Sequence, residues 1–196
     1  MADPEYIDET GALTDGEAWV ALATETPSGA NVEFTSAACV SALGMVGDWS
    51  QYADLVIIGY ARSGVSGSGN TGVYFRLNDD ATNNYAWQQL QADGSSVSSD
   101  RQVPISYIRF GLAPQVSATA NVFGAYIIQL FDINSGKKTS VLCQGACDMD
   151  GSGNINVFAG SFMSHAPVTV IDLLDDSGFV AGSRFDLFGI LPRMVS

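Results

Sequence analysis

Short apolar runs separated by polar and Gly-rich segments recur along the chain. Residues 55–61 are apolar apart from Gly59, residues 73–77 alternate in part, and residues 85–90 carry aromatic and apolar side chains at intervals. Runs of β-branched and aromatic residues that are closed by Gly or Asn are typical of strands rather than helices. We expect these three segments to form antiparallel strands at the centre of the fold.

The same pattern predicts further strands on both sides of this centre. They lie at residues 18–23, 31–34, 104–112, 121–133, 138–143, 155–158, 168–174 and 184–190. The Ser135-Gly136 turn predicts a hairpin, and the composition of residues 93–101 predicts a surface loop. About ten short strands without βαβ alternation predict an all-β fold with little helix, which is an antiparallel β-sandwich or a barrel.

The chain length fits one domain with a substantial core. A chain of 196 residues, 46% of them hydrophobic, is too apolar to be disordered. Residues 1–15 carry five acidic side chains and few apolar ones, which predicts an N-terminal arm. That arm is either a frayed terminus or a segment that docks on a neighbour. We expect residues 16–196 to form a single β-sandwich domain.

Charge and hydropathy exclude several kinds of partner. The formal net charge of −13 repels phosphate backbones, so we expect no nucleic-acid binding. The longest apolar stretch, residues 122–131, is shorter than a membrane helix requires, and we expect no membrane contact. The acidic N-terminus lacks a basic and apolar signal segment, which indicates synthesis in a cytoplasm.

The three cysteines do not form a recognisable framework. Cys39, Cys143 and Cys147 are odd in number, and the spacing of the last two matches neither the common redox motif nor the common zinc motif. We expect them to pack as small buried hydrophobes.

One short motif could hold a cation. Residues 148–155, DMDGSGNI, place oxygens of Asp148, Asp150 and Ser152 at the first, third and fifth positions of a calcium-type loop. The position of the closing carboxylate is occupied by Ala159, and no amphipathic helix flanks the segment. The alternative is a tight hairpin turn, in which Asp, Gly, Ser and Asn are favoured. We favour the turn and assign no metal site, keeping the three residues as candidates.

No catalytic constellation is recognisable in the sequence. His165 is the single histidine, and no nucleophile elbow accompanies it. Asp79 and Asp80 are adjacent, so on a strand they would face opposite ways, whereas a glycosidase pair faces one sugar. We therefore expect a non-enzymatic protein without a cofactor.

Four segments together resemble a group of tailed-bacteriophage virion structural proteins. They are residues 34–36 (FTS), 49–55 (WSQYADL), 75–85 (FRLNDDATNNY) and 178–190 (GFVAGSRFDLFGI). The resemblance spans roughly residues 31–190 and consists of loose motifs. Phe188 stands where the group usually has Tyr, and Asp79 stands where Gly is common.

The resemblance implies a jelly-roll-like module on the surface of the virion, made in the host cytoplasm and often present as a homotrimer. The function expected first is a capsid decoration (cement) protein, which binds the major capsid protein on the outer face of the head and stabilises the shell. The second is a tail or fibre module that recognises host-surface carbohydrate through exposed aromatic residues such as Trp87 or Tyr74. An enzyme that cleaves polysaccharides or esters ranks third.

Overall fold

The computed structural model describes residues 19–38 and 49–191. Within these ranges it contains one short 3-10 turn, Trp49–Gln51, and twelve β-strands. The strands are Trp19–Glu25 (β1), Val32–Thr35 (β2), Asp54–Ala61 (β3), Asn70–Leu77 (β4), Tyr85–Ala92 (β5), Val97–Ile105 (β6), Ile108–Pro114 (β7), Gly124–Phe131 (β8), Thr139–Asp148 (β9), Gly153–Phe162 (β10), Val170–Leu174 (β11) and Arg184–Ile190 (β12). The predicted N-terminal arm and Cys39 lie outside the described residues.

The strands form two antiparallel sheets that pack face to face, which confirms the predicted β-sandwich. The large sheet has the order β1-β12-β3-β8-β9-β10-β5-β6, and the small sheet has the order β2-β11-β4-β7. Every pairing is antiparallel.

The connectivity is that of a jelly roll with two inserted hairpins. The four strands β1, β12, β3 and β8 face the four strands β2, β11, β4 and β7, and the chain passes between the two groups as two Greek keys require. The hairpins β5–β6 and β9–β10 extend the large sheet on one side, so it is twice as wide as the small sheet.

One predicted loop is a strand in the structure, which corrects the expectation for residues 93–101. β6 spans Val97–Ile105 and pairs with β5 along its length. Its side chains are exposed almost throughout, because β6 lies at the edge of the large sheet beyond the small sheet. A strand that is open on both faces lacks the alternation that identifies strands in sequence.

Aromatic side chains fill the space between the sheets. The ring of Tyr126, on β8, lies edge-on to Phe110, on β7, with 5.1 Å between ring centroids. Its hydroxyl donates a hydrogen bond of 2.8 Å to the carbonyl oxygen of Leu112. Gly111 and Gly145 leave room for this ring, because a Cβ at either position would approach it closely. Tyr126 therefore links the two layers at the centre of the core.

The motifs behind the virion resemblance have structural roles here. The hydroxyl of Tyr85 accepts a hydrogen bond from the amide of Leu77 (3.0 Å) and lies 2.9 Å from the carbonyl oxygen of Asp80. The Asn78 amide oxygen accepts bonds from the backbone amides of Thr169 (2.8 Å) and Val170. These contacts fix the turn between β4 and β5 against the start of β11.

A buried arginine organises the loop before β8. The Arg62 guanidinium, 7% exposed, donates to four backbone carbonyl groups. They belong to Val116, Ala118, Thr119 and Val122, at 2.7 to 3.1 Å. The sequence contains no signal for this arrangement.

Candidate functional site

The outer face of the large sheet carries an unusual set of side chains. Five adjacent strands, β3, β8, β9, β10 and β5, each contribute three outward-facing positions. Together these positions form what we call the uncharged face: Val56, Ile58, Tyr60, Ala125, Ile127, Gln129, Leu142, Gln144, Ala146, Ile155, Val157, Ala159, Gln88, Leu90 and Ala92. Three members are glutamines, the others are apolar, and none is charged.

The register of the strands aligns these residues in rows across the sheet. In the middle row, Ile58 lies opposite Ile127, Ile127 opposite Gln144, Gln144 opposite Val157, and Val157 opposite Leu90. The row beside it runs from Tyr60 across to Ala92 and is entirely apolar. Because each residue adjoins the next across the strands, the apolar area is continuous.

The middle row of the uncharged face and most of the row beside it are open to solvent. In the third row, Val56 is only 1% exposed, and Gln129 and Leu142 are partly buried. Ile58 is 43% exposed, Ile127 47%, Ile155 65% and Val157 37%. A shallow groove of about 420 Å³ lies on it, lined in part by Ile127 and Val157. Contiguous apolar surface of this kind marks interaction sites in soluble proteins.

Charged residues border the uncharged face on its two flanking strands. On β12, the Arg184 guanidinium lies 2.8 Å from a carboxylate oxygen of Asp186, which also accepts a hydrogen bond of 2.6 Å from Thr24. This pair is neutral as a whole. On β6, Arg101 lies opposite Gln88. Neither flank therefore brings an uncompensated carboxylate against the face.

Two carboxylates lie one row beyond the face, at strand ends. On β9, Asp148 is the next outward-facing residue after Ala146. On β3, Asp54 is the outward-facing residue that comes before Val56. The Asp54 carboxylate accepts a bond of 2.8 Å from the Asp132 amide, so it is turned towards the backbone of the neighbouring turn. The face is thus apolar in the middle and charged at its margin.

The outer face of the small sheet has the opposite character. Glu33, on β2, lies opposite Asp172, on β11, which lies opposite Arg76, on β4. The carboxylates of Glu33, Asp172 and Asp79 lie within 4.8 Å of one another. Burial raises the pKa of Asp172 to about 6, and the charges of Asp79 and Glu33 add to this rise, while Arg76 opposes it.

This three-carboxylate group differs from the candidate cation site in the sequence. Asp148, Asp150 and Ser152 lie in the turn between β9 and β10, where the Met149 amide donates to the Ser152 carbonyl oxygen at 2.7 Å. The central residues, Asp150 and Gly151, have positive φ angles of 63° and 99°, as a two-residue hairpin turn requires. The Asp148 carboxylate accepts a bond of 3.0 Å from the Asp150 amide. These contacts fit the hairpin turn.

The other residues considered as chemical candidates are scattered. His165 is exposed in the segment between β10 and β11, and the neighbouring Ser164 hydroxyl accepts a bond from the Ala166 amide. Asp80 accepts bonds from Thr82 and Asn84, which lower the pKa of its carboxyl group.

The two described cysteines are buried thiols. Cys143 and Cys147 are free, and burial is the main cause that raises the pKa of each. A thiol with a raised pKa is a poor nucleophile because the thiolate is the reactive form.

The aromatic candidates for sugar binding differ in accessibility. Trp87 is 4% exposed and lies edge-on to Phe158. Tyr74 is half-buried on the outer face of the small sheet, 4.4 Å from the ring of Tyr107, with the Arg109 guanidinium 5.6 Å from its centroid. Of these two candidates, Tyr74 alone has its ring on an outer face.

The uncharged face itself was not predicted from the sequence. A signal was present, because Ile155 and Val157 alternate with Asn154 and Asn156, but an apolar residue in a strand is ordinarily assigned to the core. Phe158 and Phe162 share the inward direction of the two asparagines, and these rings fix which side of β10 is buried.

Within the described ranges, no helix has the length and apolar character needed to cross a membrane. No family model, curated protein or solved structure matches the chain.

Proposed function

We propose that this protein is a non-enzymatic structural component of a virion. Its most direct role is that of a capsid decoration protein, which binds the outer surface of the head through contacts with the major capsid protein and stabilises the shell. The observation that carries this proposal is the uncharged face, a continuous apolar area in a chain whose net charge is −13.

The physical support lies in the cost of leaving such a face in water. An antiparallel sheet that is solvated on one side normally carries polar residues there. Each apolar side chain that is removed from water gains roughly 25 cal/mol per Å² of buried area. A binding partner of this face is therefore a surface that lacks charge, as the core of a protein interface does. A phosphate-bearing partner would be repelled by the rest of the molecule.

The jelly-roll fold suits an assembly made of many neighbouring copies. An exposed sheet edge invites uncontrolled pairing with other strands. Here the edge strand β6 carries Asp100, Arg101 and Pro104, which discourage extension of the sheet. Contact through a sheet face is then favoured over contact through this edge.

The test is the copy number in purified particles. Quantitative mass spectrometry of virions that contain this chain should give a fixed ratio to the major capsid protein, and the protein should rebind to heads from which it was removed. Absence from particles contradicts the proposal. A few copies per particle, located at the tail, contradict the decoration role.

The second candidate is a tail or fibre module that recognises host-surface carbohydrate. Tyr74, with Tyr107 beside it and Arg109 over its ring, supports this candidate, since aromatic rings pack against the apolar faces of sugars. Its test is sugar-dependent binding of the purified chain to host cells. Tyr74→Ala should abolish that binding, whereas Trp87→Phe should leave it unchanged.

A further inference from the structure

We infer that the uncharged face is where a second copy of this chain docks, so that two large sheets stack about a two-fold axis. The inference rests on the proposed function and concerns the free protein: in solution a second copy covers this face, and on the head the major capsid protein takes its place. It differs from the homotrimer that the virion resemblance implies.

The charge distribution selects this contact between identical chains. Two molecules that each carry a net charge of −13 repel one another. Contact through the outer face of the small sheet would bring the cluster of Glu33, Asp79 and Asp172 against acidic groups of the partner. The uncharged face holds fifteen neighbouring positions without a carboxylate. Across these positions two copies meet without opposing like charges.

The same distribution disfavours a basic partner on this face. A protein rich in Lys and Arg would be drawn to the acidic surfaces elsewhere on the molecule, not to a surface that offers no charge. The face fits a partner surface that is flat, apolar and uncharged, and the chain itself supplies such a surface.

The strand order makes the face self-complementary. β9 is the middle one of the five strands, and a two-fold axis along it places β8 over the partner's β10 and β3 over the partner's β5. Ile127 then packs against the partner's Val157, and Ile58 against the partner's Leu90. Gln144 lies over its own equivalent, and two amides satisfy one another because each donates and accepts.

The strands that flank the face, β12 and β6, also meet without opposing like charges in this arrangement. β12 of one copy lies over the partner's β6, so the Arg184–Asp186 pair faces the side of β6 that carries Val97 and Ser99. The arrangement places no carboxylate of this pair opposite its own equivalent.

Asp148 is a residue at the margin of the contact whose charge opposes association. It lies on β9, one row beyond the face, so an axis along β9 brings it opposite its own equivalent. Repulsion between the two carboxylates opposes association, and Asp148→Asn should therefore strengthen the dimer. Asp176→Asn removes a carboxylate between β11 and β12, far from this axis, and should strengthen it less. A dimer weakened by Asp148→Asn would contradict the placement of the axis.

The area is sufficient for a weak dimer. Five strands about 4.8 Å apart and three rows of outward residues about 6.8 Å apart give a footprint of roughly 450 Å² once the buried Val56 is left out. Two copies would bury roughly 900 Å² in total, which is close to the lower limit for biological interfaces. We therefore expect a dimer that dissociates on dilution.

Sedimentation equilibrium of the full chain tests the inference with a matched pair of variants. The wild type should approach twice 20.6 kDa as its concentration rises. Val157→Glu places a charge within the proposed contact and should weaken the dimer by at least about a hundredfold, since a buried unpaired carboxylate is costly. Val116→Glu makes the same change at a similarly exposed valine off the face (45% against 37%) and should weaken the dimer only slightly, through the added net charge.

Two further measurements distinguish this apolar contact from a folding defect and from association through ion pairs. Circular dichroism should show the same strand content in both variants, and Ile127→Glu should reproduce the loss if Val157→Glu fails to fold. Added salt should strengthen the wild-type dimer, because it screens the repulsion between two acidic chains. A dimer held by ion pairs would weaken instead.

The possible outcomes distinguish this inference from the proposed function. A wild-type monomer at all concentrations, a trimer, or a dimer that persists in both Val157→Glu and Ile127→Glu overturns the inference. None of these results changes the copy number in particles. A dimer that is lost in Val157→Glu, formed by a chain absent from virions, would support the inference and contradict the proposed function.

Discussion

Ile58 and Ile127 lie directly opposite one another on adjacent strands, and both point away from the core into solvent. A cross-strand pair of β-branched residues stabilises a sheet, but at this position the pair leaves close to half of each side chain in water. On β10 and β5 of the same face, Ile155, Val157 and Leu90 are also exposed to solvent. The sheet has therefore kept an apolar outer surface that folding alone does not require, which is the basis for proposing protein contact there.

The Tyr85 hydroxyl should contribute measurably to stability. Tyr85→Phe removes the hydroxyl group, which accepts a hydrogen bond from the Leu77 amide and lies beside the Asp80 carbonyl oxygen. Both contacts lie at the turn between β4 and β5. We expect the free energy of unfolding to fall by about 1–2 kcal/mol, measured by urea denaturation. Tyr60→Phe, at an exposed ring, is the control and should change it by less than about 0.5 kcal/mol.

Arg62 should not be replaceable by lysine. A lysine ammonium is a compact group and cannot reproduce the planar fork that reaches four carbonyl oxygens of residues 116–122. Arg62→Lys should lower the free energy of unfolding by about 2–3 kcal/mol. Arg101→Lys, at an exposed position on β6, should have little effect. Equal losses in the two variants would contradict the role assigned to Arg62.

Gly189 should be intolerant of even a methyl group. A Cβ at this position would lie 2.5 Å from the ring of Tyr52, so the packing of the segment before β3 against β12 depends on the missing side chain. Gly189→Ala should cost about 1–3 kcal/mol through overpacking. At Gly69, a Cβ would be 3.6 Å from its nearest neighbour. Gly69→Ala should therefore be neutral when the two variants are compared with the wild type in thermal melts.

Asp172 should destabilise the fold at neutral and alkaline pH. Its pKa in the folded state is about 6, above the ordinary value of 3.8, so the folded protein holds this proton more tightly than the unfolded chain does. Deprotonation of the Asp172 carboxyl group as the pH rises through 6 therefore lowers the free energy of unfolding. Asp172→Asn should raise the free energy of unfolding above pH 7 by on the order of 1 kcal/mol, after allowance for solvent screening of this partly exposed group. The gain should vanish as the pH falls towards 4.

The neighbouring Asp79 provides the control for this prediction. Its charge contributes to the raised pKa of Asp172. In an Asp79→Asn background, the gain from Asp172→Asn at alkaline pH should therefore be smaller. A gain of the same size at every pH would mean that the substitution acts through packing and not through the charge of Asp172.

The strands were largely predictable because most of them are buried on one or both faces. The hairpin of β8 and β9 was predicted from Ser135-Gly136, and the register confirms it. The strand β6 was missed because Ser98, Ser99, Asp100, Arg101 and Gln102 are all exposed, which leaves no alternation to detect.

The outer face was not predictable from local pattern. In β10, Asn154 and Asn156 point inward, where one amide donates to the other, while Ile155 and Val157 point outward. Which parity of a strand is buried depends on the register of the whole strand, and here Phe158 and Phe162 set it. Residues 154–157 taken alone predict that Ile155 and Val157 are buried and that the two asparagines are exposed, which is the reverse of the structure.

The motifs that carry the virion resemblance act within the fold. Tyr85, Asn78 and Gly189 fix turns and packing, and none of them belongs to the uncharged face. Such motifs report the architecture of the chain and carry no information about what it contacts.

Both proposals require that protein covers the uncharged face. Hydroxyl-radical footprinting of the wild-type chain, followed residue by residue with mass spectrometry, measures this coverage directly. We expect the reactivity of Ile127 and Val157 to fall as the protein concentration rises, while that of Val116 stays constant. Equal reactivity of Ile127 and Val157 in dilute and concentrated solution, and again in any particle that contains the chain, would contradict protein contact at this face.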